Sequence, residues 1–283
     1  MLSHPVLPPV AALDERAAGL LAGMDLGLCC QLLIIALAYG VYRYQGAPAF
    51  FMARLPDSLA DRQAAGVHLN RLSGFLLLGL VPAAALCLLG RSPLDYGLGL
   101  GDPERVAAIA GFGMLLGVLL VLQQATSPSM LAYYPIIHAL RRPGGPLLAS
   151  ALGECLYLCA FEFLWRGYVL FTLTHDLGLA PAPAIVLCGV MCALIHLGKP
   201  QREVLGVCVL NLWFGWATLF TGSIWAVVLQ RCVAVVVLEW RTARAHQARH
   251  AAGQAAAGPA GGIAAMTAGR SERGEDAAAS PRA

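Results

Sequence analysis

Long apolar blocks separated by short polar segments dominate the chain. A helix that crosses a bilayer needs about 20 mostly apolar residues, and several blocks approach that length. The predicted spans are residues 26–42, 72–90, 106–122, 147–173, 184–197, 203–220 and 224–238. The pattern predicts an all-α, polytopic transmembrane helical bundle of about seven spans. A short apolar segment at 48–51 is expected to be an interfacial or re-entrant piece, and an eighth span stays open.

The two ends of the chain differ from this pattern. Residues 1–25 lack the basic start of a signal peptide, so we expect a segment on the membrane surface rather than a cleaved leader. Residues 241–283 are mostly Ala, Gly, Ser and Arg with few large apolar side chains. Such a composition buries too little surface to offset the entropy of ordering the chain. The sequence therefore predicts a disordered cytoplasmic tail.

Composition supports membrane insertion and argues against several classes of protein. Hydrophobic residues make up 58% of the chain and charged residues 12%, about half of the roughly 25% that is usual in soluble domains. The formal net charge is only +3, which is too small a surplus to indicate nucleic acid as a partner. The expected partner surface is the lipid bilayer.

Basic residues collect in alternate loops and thereby predict an orientation. One side of the membrane would hold Arg43, Arg54, Arg62, Arg71, Arg141, Arg142, Lys199, Arg202 and the tail. The other side would hold Arg16, Arg91 and Arg105. Because positive charge favours the cytoplasmic side, this asymmetry predicts an integral membrane protein with a cytoplasmic C-terminus.

Charged side chains inside the predicted spans occur only in the second half of the chain. They are costly in hydrocarbon and are functional candidates by default. Within or next to the last four spans lie Glu154, Glu162, Arg166, His196, Lys199, Arg202, Glu203, Arg231 and Glu239. We therefore expect residues 26–125 to form an apolar scaffold and the later spans to carry the functional site.

Glu162 and Arg166 are four residues apart on the fourth span, which places them on one face of a helix in the favourable order for an ion pair. Such a pair could aim a reactive carboxylate, or it could be purely structural. Glu154 lies eight residues earlier, about 12 Å along the axis, which is too far for a carboxylate dyad with Glu162.

A metal site is one interpretation of the fifth span. Cys188, Cys192 and His196 repeat every four residues and share a stripe that could bind a divalent metal such as zinc. The simpler interpretation is close helix packing through small residues. The nine cysteines all lie in apolar blocks, which is typical of core residues, and no other cofactor is indicated.

Three motifs together resemble a known family. Residues 161–168 read FEFLWRGY and are similar to the first motif, Glu-Glu-x-x-x-Arg-Gly, of the CAAX protease and bacteriocin-processing (CPBP, or Abi) family of intramembrane proteases. Residues 193–200 read ALIHLGKP and, with Glu203, resemble the second motif. Residues 222–225 read GSIW and resemble the approach to the third. The resemblance predicts a protease-like core over residues 126–240.

The chain also departs from the family pattern at four positions. Phe161 stands where the family has its first glutamate, and Cys192 stands at an aromatic position of the second motif. The histidine of the third motif would fall at Arg231, and the Asn or Asp four residues later at Val235. These departures leave open whether the site is active.

What the resemblance implies is hydrolysis of a peptide bond in a helical cavity open to the cytoplasmic leaflet of a bacterial membrane. The substrate would be a membrane-associated or lipidated peptide or protein. Glu162, oriented by Arg166, would activate a water, with His196 as its partner and Glu203 as a further candidate from the second motif. Arg231 would stabilise the oxyanion, or would hold a lapsed site closed on Glu162 or Glu203. Two alternatives stay open: a non-catalytic membrane adaptor or peptide-binding protein with this fold, and a small transporter, although the chain shows no symmetry between halves.

Overall fold

The computed structural model describes residues 26–45, 47–59, 61–194 and 201–275, and it describes their side chains except at 201–207 and 253–275. This part of the chain is helical and contains no β-strand. The helices are α1 (Leu26–Gln45), α2 (Pro48–Met52), α3 (Arg62–Leu88), α4 (Pro103–Gln124), α5 (Pro128–Tyr133), α6 (Leu147–Asp176), α7 (Pro181–Leu194), α8 (Gln201–Thr221) and α9 (Trp225–Glu275). The predicted surface segment at 1–25 lies outside the described residues.

Each predicted span corresponds to a helix, but not every helix has the length and composition of a span. Four helical stretches are long and apolar enough to cross a membrane: α1, α3, the stretch Leu94–Gln124 that contains α4, and α6. α7 and the stretch Cys208–Thr221 of α8 are apolar but shorter. The all-helical, membrane-type fold is therefore confirmed, whereas seven remains a predicted number of spans.

α3 begins ten residues before the predicted span and brings a charge into the bundle. Asp61 precedes its first turn, and its side chain accepts a hydrogen bond from the backbone N–H of Ala64 at 2.9 Å, which caps the helix. Arg71 consequently lies inside α3 and is only 3% exposed. The prediction that charge is confined to the later spans is wrong at this position, because the partners of Arg71 come from distant parts of the chain.

Arg71 and its partners form a largely buried group that we call the Arg71 cluster: Arg71, Ser150, Glu154 and Glu239. The guanidinium lies 2.7 Å from a carboxylate oxygen of Glu154 on α6 and 3.1 Å from one of Glu239 on α9. It also donates to the backbone carbonyl of Ser150, whose hydroxyl donates to Glu239 at 2.9 Å. Because buried charges are tolerated when they are paired and hydrogen-bonded, this cluster fixes α3, α6 and α9 to one another.

A second polar cluster joins the opposite ends of α3 and α6. Arg91 forms an ion pair with Asp176 and donates to the hydroxyl of Tyr96, which in turn donates to Asp176 at 2.7 Å. Beside it, the fully buried Gln31 of α1 hydrogen-bonds the Thr172 hydroxyl at 2.7 Å. The bundle is thus held by polar contacts near both ends and by an apolar core between them.

α9 continues far beyond the last predicted span. It is helical as far as Glu275, so the structure differs from the predicted disordered tail between residues 241 and 275, while 276–283 lie outside the described residues. The first part of this extension is docked, since His246 and Gln247 bond backbone carbonyls before α6, including that of Leu140.

Candidate functional site

Glu162 lies in the middle of α6, where regular α-helix changes to a π-helical segment over Phe163–Val169. Gly167 allows this segment to approach the turn before α4, because a Cβ on Gly167 would lie 2.6 Å from the carbonyl oxygen of Tyr96. The Arg-Gly pair of the first motif therefore serves two purposes: the arginine faces the site, and the glycine permits close packing behind it.

Two arginines hold the Glu162 carboxylate. Arg166 Nη1 lies 3.2 Å from Glu162 Oε2, and Arg231 of α9 forms an ion pair and hydrogen bond with Oε1. Glu162 is fully buried and Arg166 nearly so, whereas the side chain of Arg231 is 30% exposed. The two guanidinium groups stabilise the ionised carboxylate, and Arg231 covers it on the more exposed side.

Phe161 stands at the position of the family's first glutamate, and Arg231 stands at the position of the histidine in the family's third motif. The two side chains are in contact. The Arg231 guanidinium lies 5.3 Å from the centre of the Phe161 ring, within the range of a cation–π interaction. The two departures from the family pattern are therefore in contact and complement each other.

Arg166 makes further contacts with two neighbouring helices. Its Nη2 donates to Oδ1 of Asn211 on α8, and its Nη1 lies 3.6 Å from the sulfur of Cys192 on α7. The ring of Phe214 lies 5.6 Å from the guanidinium. Arg166 is the centre of a group that we call the site cluster: Glu162, Arg166, Asn211 and Arg231.

Two polar atoms of the site cluster are buried and have no hydrogen-bond partner among the described residues. One is Oε2 of Glu162, an acceptor, and the other is Nδ2 of Asn211, a donor. Oε2 is still ion-paired with Arg166. Buried polar atoms have hydrogen-bond partners in the great majority of cases, so an acceptor and a donor that lack them around one guanidinium call for an explanation.

The structure brings together three of the five predicted site residues: Glu162, Arg166 and Arg231. The predicted ion pair between Glu162 and Arg166 is confirmed. His196 lies outside the described residues, and for Glu203 the structure describes only the backbone, in the first turn of α8. Their parts in the site stay predictions.

The predicted metal stripe is only partly described. The Cys188 thiol is buried and donates to the carbonyl of Trp165 at 3.1 Å, and Cys192 contacts Arg166. Among the described residues no group of three metal-ligating side chains occurs, and the third member of the stripe, His196, lies outside them. The described contacts of both cysteines are those of core residues.

Sequence reasoning missed Asn211, and it missed the pairing of Arg71 with Glu154 and Glu239. Asn211 is a single amide in an otherwise apolar stretch of α8, a signal like the one that singled out the charges. Polar side chains within a span are costly and are therefore functional candidates, and this rule would have identified Asn211 as well.

Comparison with protein families supports the class of protein that this architecture indicates. Residues 146–237 match the model of the family named Rce1-like, which is described as type II CAAX prenyl endopeptidase Rce1-like. The resemblance predicted from the motifs is confirmed for this segment. Comparison with curated proteins and with solved structures gave no match.

Proposed function

We propose that the protein is an intramembrane endopeptidase that hydrolyses a peptide bond of a membrane-associated or lipidated protein. The observation that carries the proposal is the buried carboxylate of Glu162 in an Rce1-like core, whose Oε2 is ion-paired with Arg166 but has no hydrogen-bond partner among the described residues. An acceptor in that state suits the binding of a water molecule and the removal of its proton.

The proposed reaction uses water as the nucleophile. Glu162 Oε2 takes a proton from the water while the water oxygen attacks the carbonyl carbon of the peptide bond. The π electrons of the carbonyl group move onto the carbonyl oxygen. Collapse of this tetrahedral intermediate breaks the C–N bond, and the proton held by Glu162 passes to the leaving amine. His196, by resemblance, would orient the water, and Glu203 would support it.

Two arginines have separate proposed roles. Arg166 aims the Glu162 carboxylate, since it is buried and bonded on several sides. Arg231 bonds Oε1, and Oε2, which Arg166 contacts as an ion pair without a hydrogen bond, can still accept from the water. Placing such a carboxylate at membrane depth restricts substrates to polypeptides that are themselves held at the membrane, in the cytoplasmic leaflet if the predicted orientation holds.

Cleavage by the purified full chain in lipid nanodiscs tests the proposal. The probes are a farnesylated peptide ending in a CAAX sequence, chosen from the family description, and a library of membrane-anchored peptides. We expect turnover by the wild type and none by Glu162→Gln, because the amide keeps the size of the side chain but cannot accept the proton. Turnover that survives Glu162→Gln would refute this mechanism.

One observation favours a second candidate function, a non-catalytic adaptor that binds a membrane peptide. Arg231 pairs directly with Glu162 and lies on the more exposed side of its carboxylate, where it would block the approach of a water and a substrate. On that interpretation the wild type cleaves no probe but binds membrane peptides. Gain of turnover in Arg231→His, which restores the family residue, would identify a lapsed enzyme.

A further inference from the structure

Asn211 is placed in the site cluster by the buried face of α8. It is 5% exposed, and the residues three, seven and ten positions later, Phe214, Thr218 and Thr221, are also buried, which is the spacing of one helical face. α7 packs on this face: a Cβ built on Gly189 would lie 3.7 Å from that of Asn211, at van der Waals contact. The side chain therefore sits between helices and not in lipid.

The contact with Arg166 fixes the orientation of the Asn211 amide. Oδ1 accepts from Nη2 of Arg166, and a guanidinium has only donors, so the oxygen must face it. Nδ2 then points away from Arg166, where it is buried and has no partner among the described residues. A role limited to holding Arg166 explains the oxygen but leaves the nitrogen at the cost of a buried, unpaired donor.

The same guanidinium connects this donor to Glu162 Oε2, an acceptor that is ion-paired with Arg166 but has no hydrogen-bond partner among the described residues. Nη1 of Arg166 faces Glu162 Oε2, and Nη2 faces Asn211. Hydrolysis of a peptide bond needs this combination, an acceptor for the proton of the water and a donor for the negative charge that develops on the carbonyl oxygen.

The residues at the third-motif positions do not supply that donor. The side chain of Val235, at the Asn or Asp position, is apolar, and Arg231 donates to Glu162 Oε1. Among the buried donors without a described partner, Asn211 is the one whose side chain also contacts Arg166.

We infer that Asn211 is a catalytic residue whose Nδ2–H donates to the oxyanion of the tetrahedral intermediate. The inference rests on the proposed endopeptidase function. As the oxygen of the attacking water bonds to the carbonyl carbon and its proton passes to Glu162, the π electrons move onto the carbonyl oxygen, which the amide N–H stabilises. When the electrons return and the C–N bond breaks, the amine leaves with the proton from Glu162.

Two substitutions separate this role from a positioning role. Asn211→Asp keeps an oxygen for Arg166 but replaces the donor with a negative charge, and Asn211→Leu removes both. We expect both variants to lower kcat at least about 100-fold, with KM unchanged, for the peptide that the wild type cleaves fastest. The matched control is Thr218→Val on the same face of α8, which also removes a buried hydroxyl without a described partner and should keep the wild-type kcat.

The outcomes distinguish this inference from the proposed function. Near-normal kcat in Asn211→Asp with a loss in Asn211→Leu would overturn the inference, because Asn211 would then only position Arg166, and the Glu162 mechanism would still stand. A wild type that cleaves none of the peptides would overturn the proposed function and the inference with it. Melting temperatures of all variants in detergent ensure that kcat is compared per folded protein.

Discussion

At the scale of single residues, the departures from the family pattern are coupled rather than independent. Phe161 could not pair with a third-motif histidine as a glutamate could, but its ring offers a surface to the Arg231 guanidinium. Arg231 in turn reaches Glu162, the acidic residue of the first motif that the chain retains. The two departures therefore meet in one contact, between the Phe161 ring and the Arg231 guanidinium.

This coupling predicts a non-additive pair of substitutions. Phe161→Leu and Arg231→Met, made singly and together, should show a coupling free energy of about 0.5–2 kcal/mol, because each removes the same cation–π contact. The measurement is thermal or chemical unfolding in detergent. Phe112, an exposed residue of α4, provides the control: Phe112→Leu with Arg231→Met should be additive. Additivity of the Phe161 pair as well would show that the ring only fills space.

The sequence predicted the local contacts of the site but not the distant ones. The spacing of Glu162 and Arg166 defines a helical pair whatever surrounds it, so that contact followed from the pattern. Asn211 lies 45 positions from Arg166 in the sequence, and no periodicity connects them. The same holds for Arg71 and Glu239, whose pairing required the packing of two distant helices.

At the scale of elements, α9 depends on close packing against α4 for its position beside the site. Gly113 of α4 faces Gln230, the neighbour of Arg231, and a Cβ on Gly113 would lie 1.9 Å from Gln230 Oε1. Gln230 cannot turn aside freely, because it accepts from the Trp213 indole and donates to the carbonyl of Ile109. The glycine therefore sets the distance between the helices.

Adding one methyl group at this contact should disturb both stability and activity. We expect Gly113→Ala to lower the free energy of unfolding by about 1–3 kcal/mol, the usual cost of overpacking, and to reduce kcat by displacing Arg231. Gly111→Ala on the same helix is the matched control, since a Cβ there meets nothing within 4 Å. Equal melting temperatures and equal kcat for the two variants would contradict the proposed role of this contact.

Element positions followed from the apolar blocks, whereas element ends did not. All seven predicted apolar blocks lie in helices, because a helix pairs the backbone N–H and C=O groups of a segment that has no water to bond in a membrane. The start of α3 depended on the capping side chain of Asp61 and on partners for Arg71. The extension of α9 depended on docking by His246 and Gln247, which hydropathy does not register.

At the scale of the whole molecule, two ends of the bundle can be identified from the contacts. The Arg71 cluster joins the beginnings of α3 and α6 to the middle of α9. At the opposite end, the N–H of Asp102 bonds the carbonyl of Thr221, and that of Ile224 bonds Gly97. Exposed leucines and other large apolar side chains cover much of the surface of the long helices, as expected for a protein surrounded by lipid.

The distribution of arginines between these ends predicts the orientation in the membrane. The end with the Arg71 cluster also carries Arg141 and Arg142, before α6, and the basic start of the α9 extension, so it should face the cytoplasm. Ser92 lies in the turn after α3 at one end, and Pro143 lies before α6 at the other; both are exposed. These two positions can report the sidedness without altering a helix.

We expect Ser92→Cys to react with a membrane-impermeant maleimide added to intact cells, and Pro143→Cys to react only after the membrane is permeabilised. The wild type, with its nine native cysteines, gives the background labelling, and melting temperatures confirm that both variants fold. Reversed labelling would place the basic end outside and would also turn the proposed site away from cytoplasmic substrates. Labelling of both positions from one side would mean that α4, the span-length helix between them, does not cross the membrane. That result would contradict the predicted orientation.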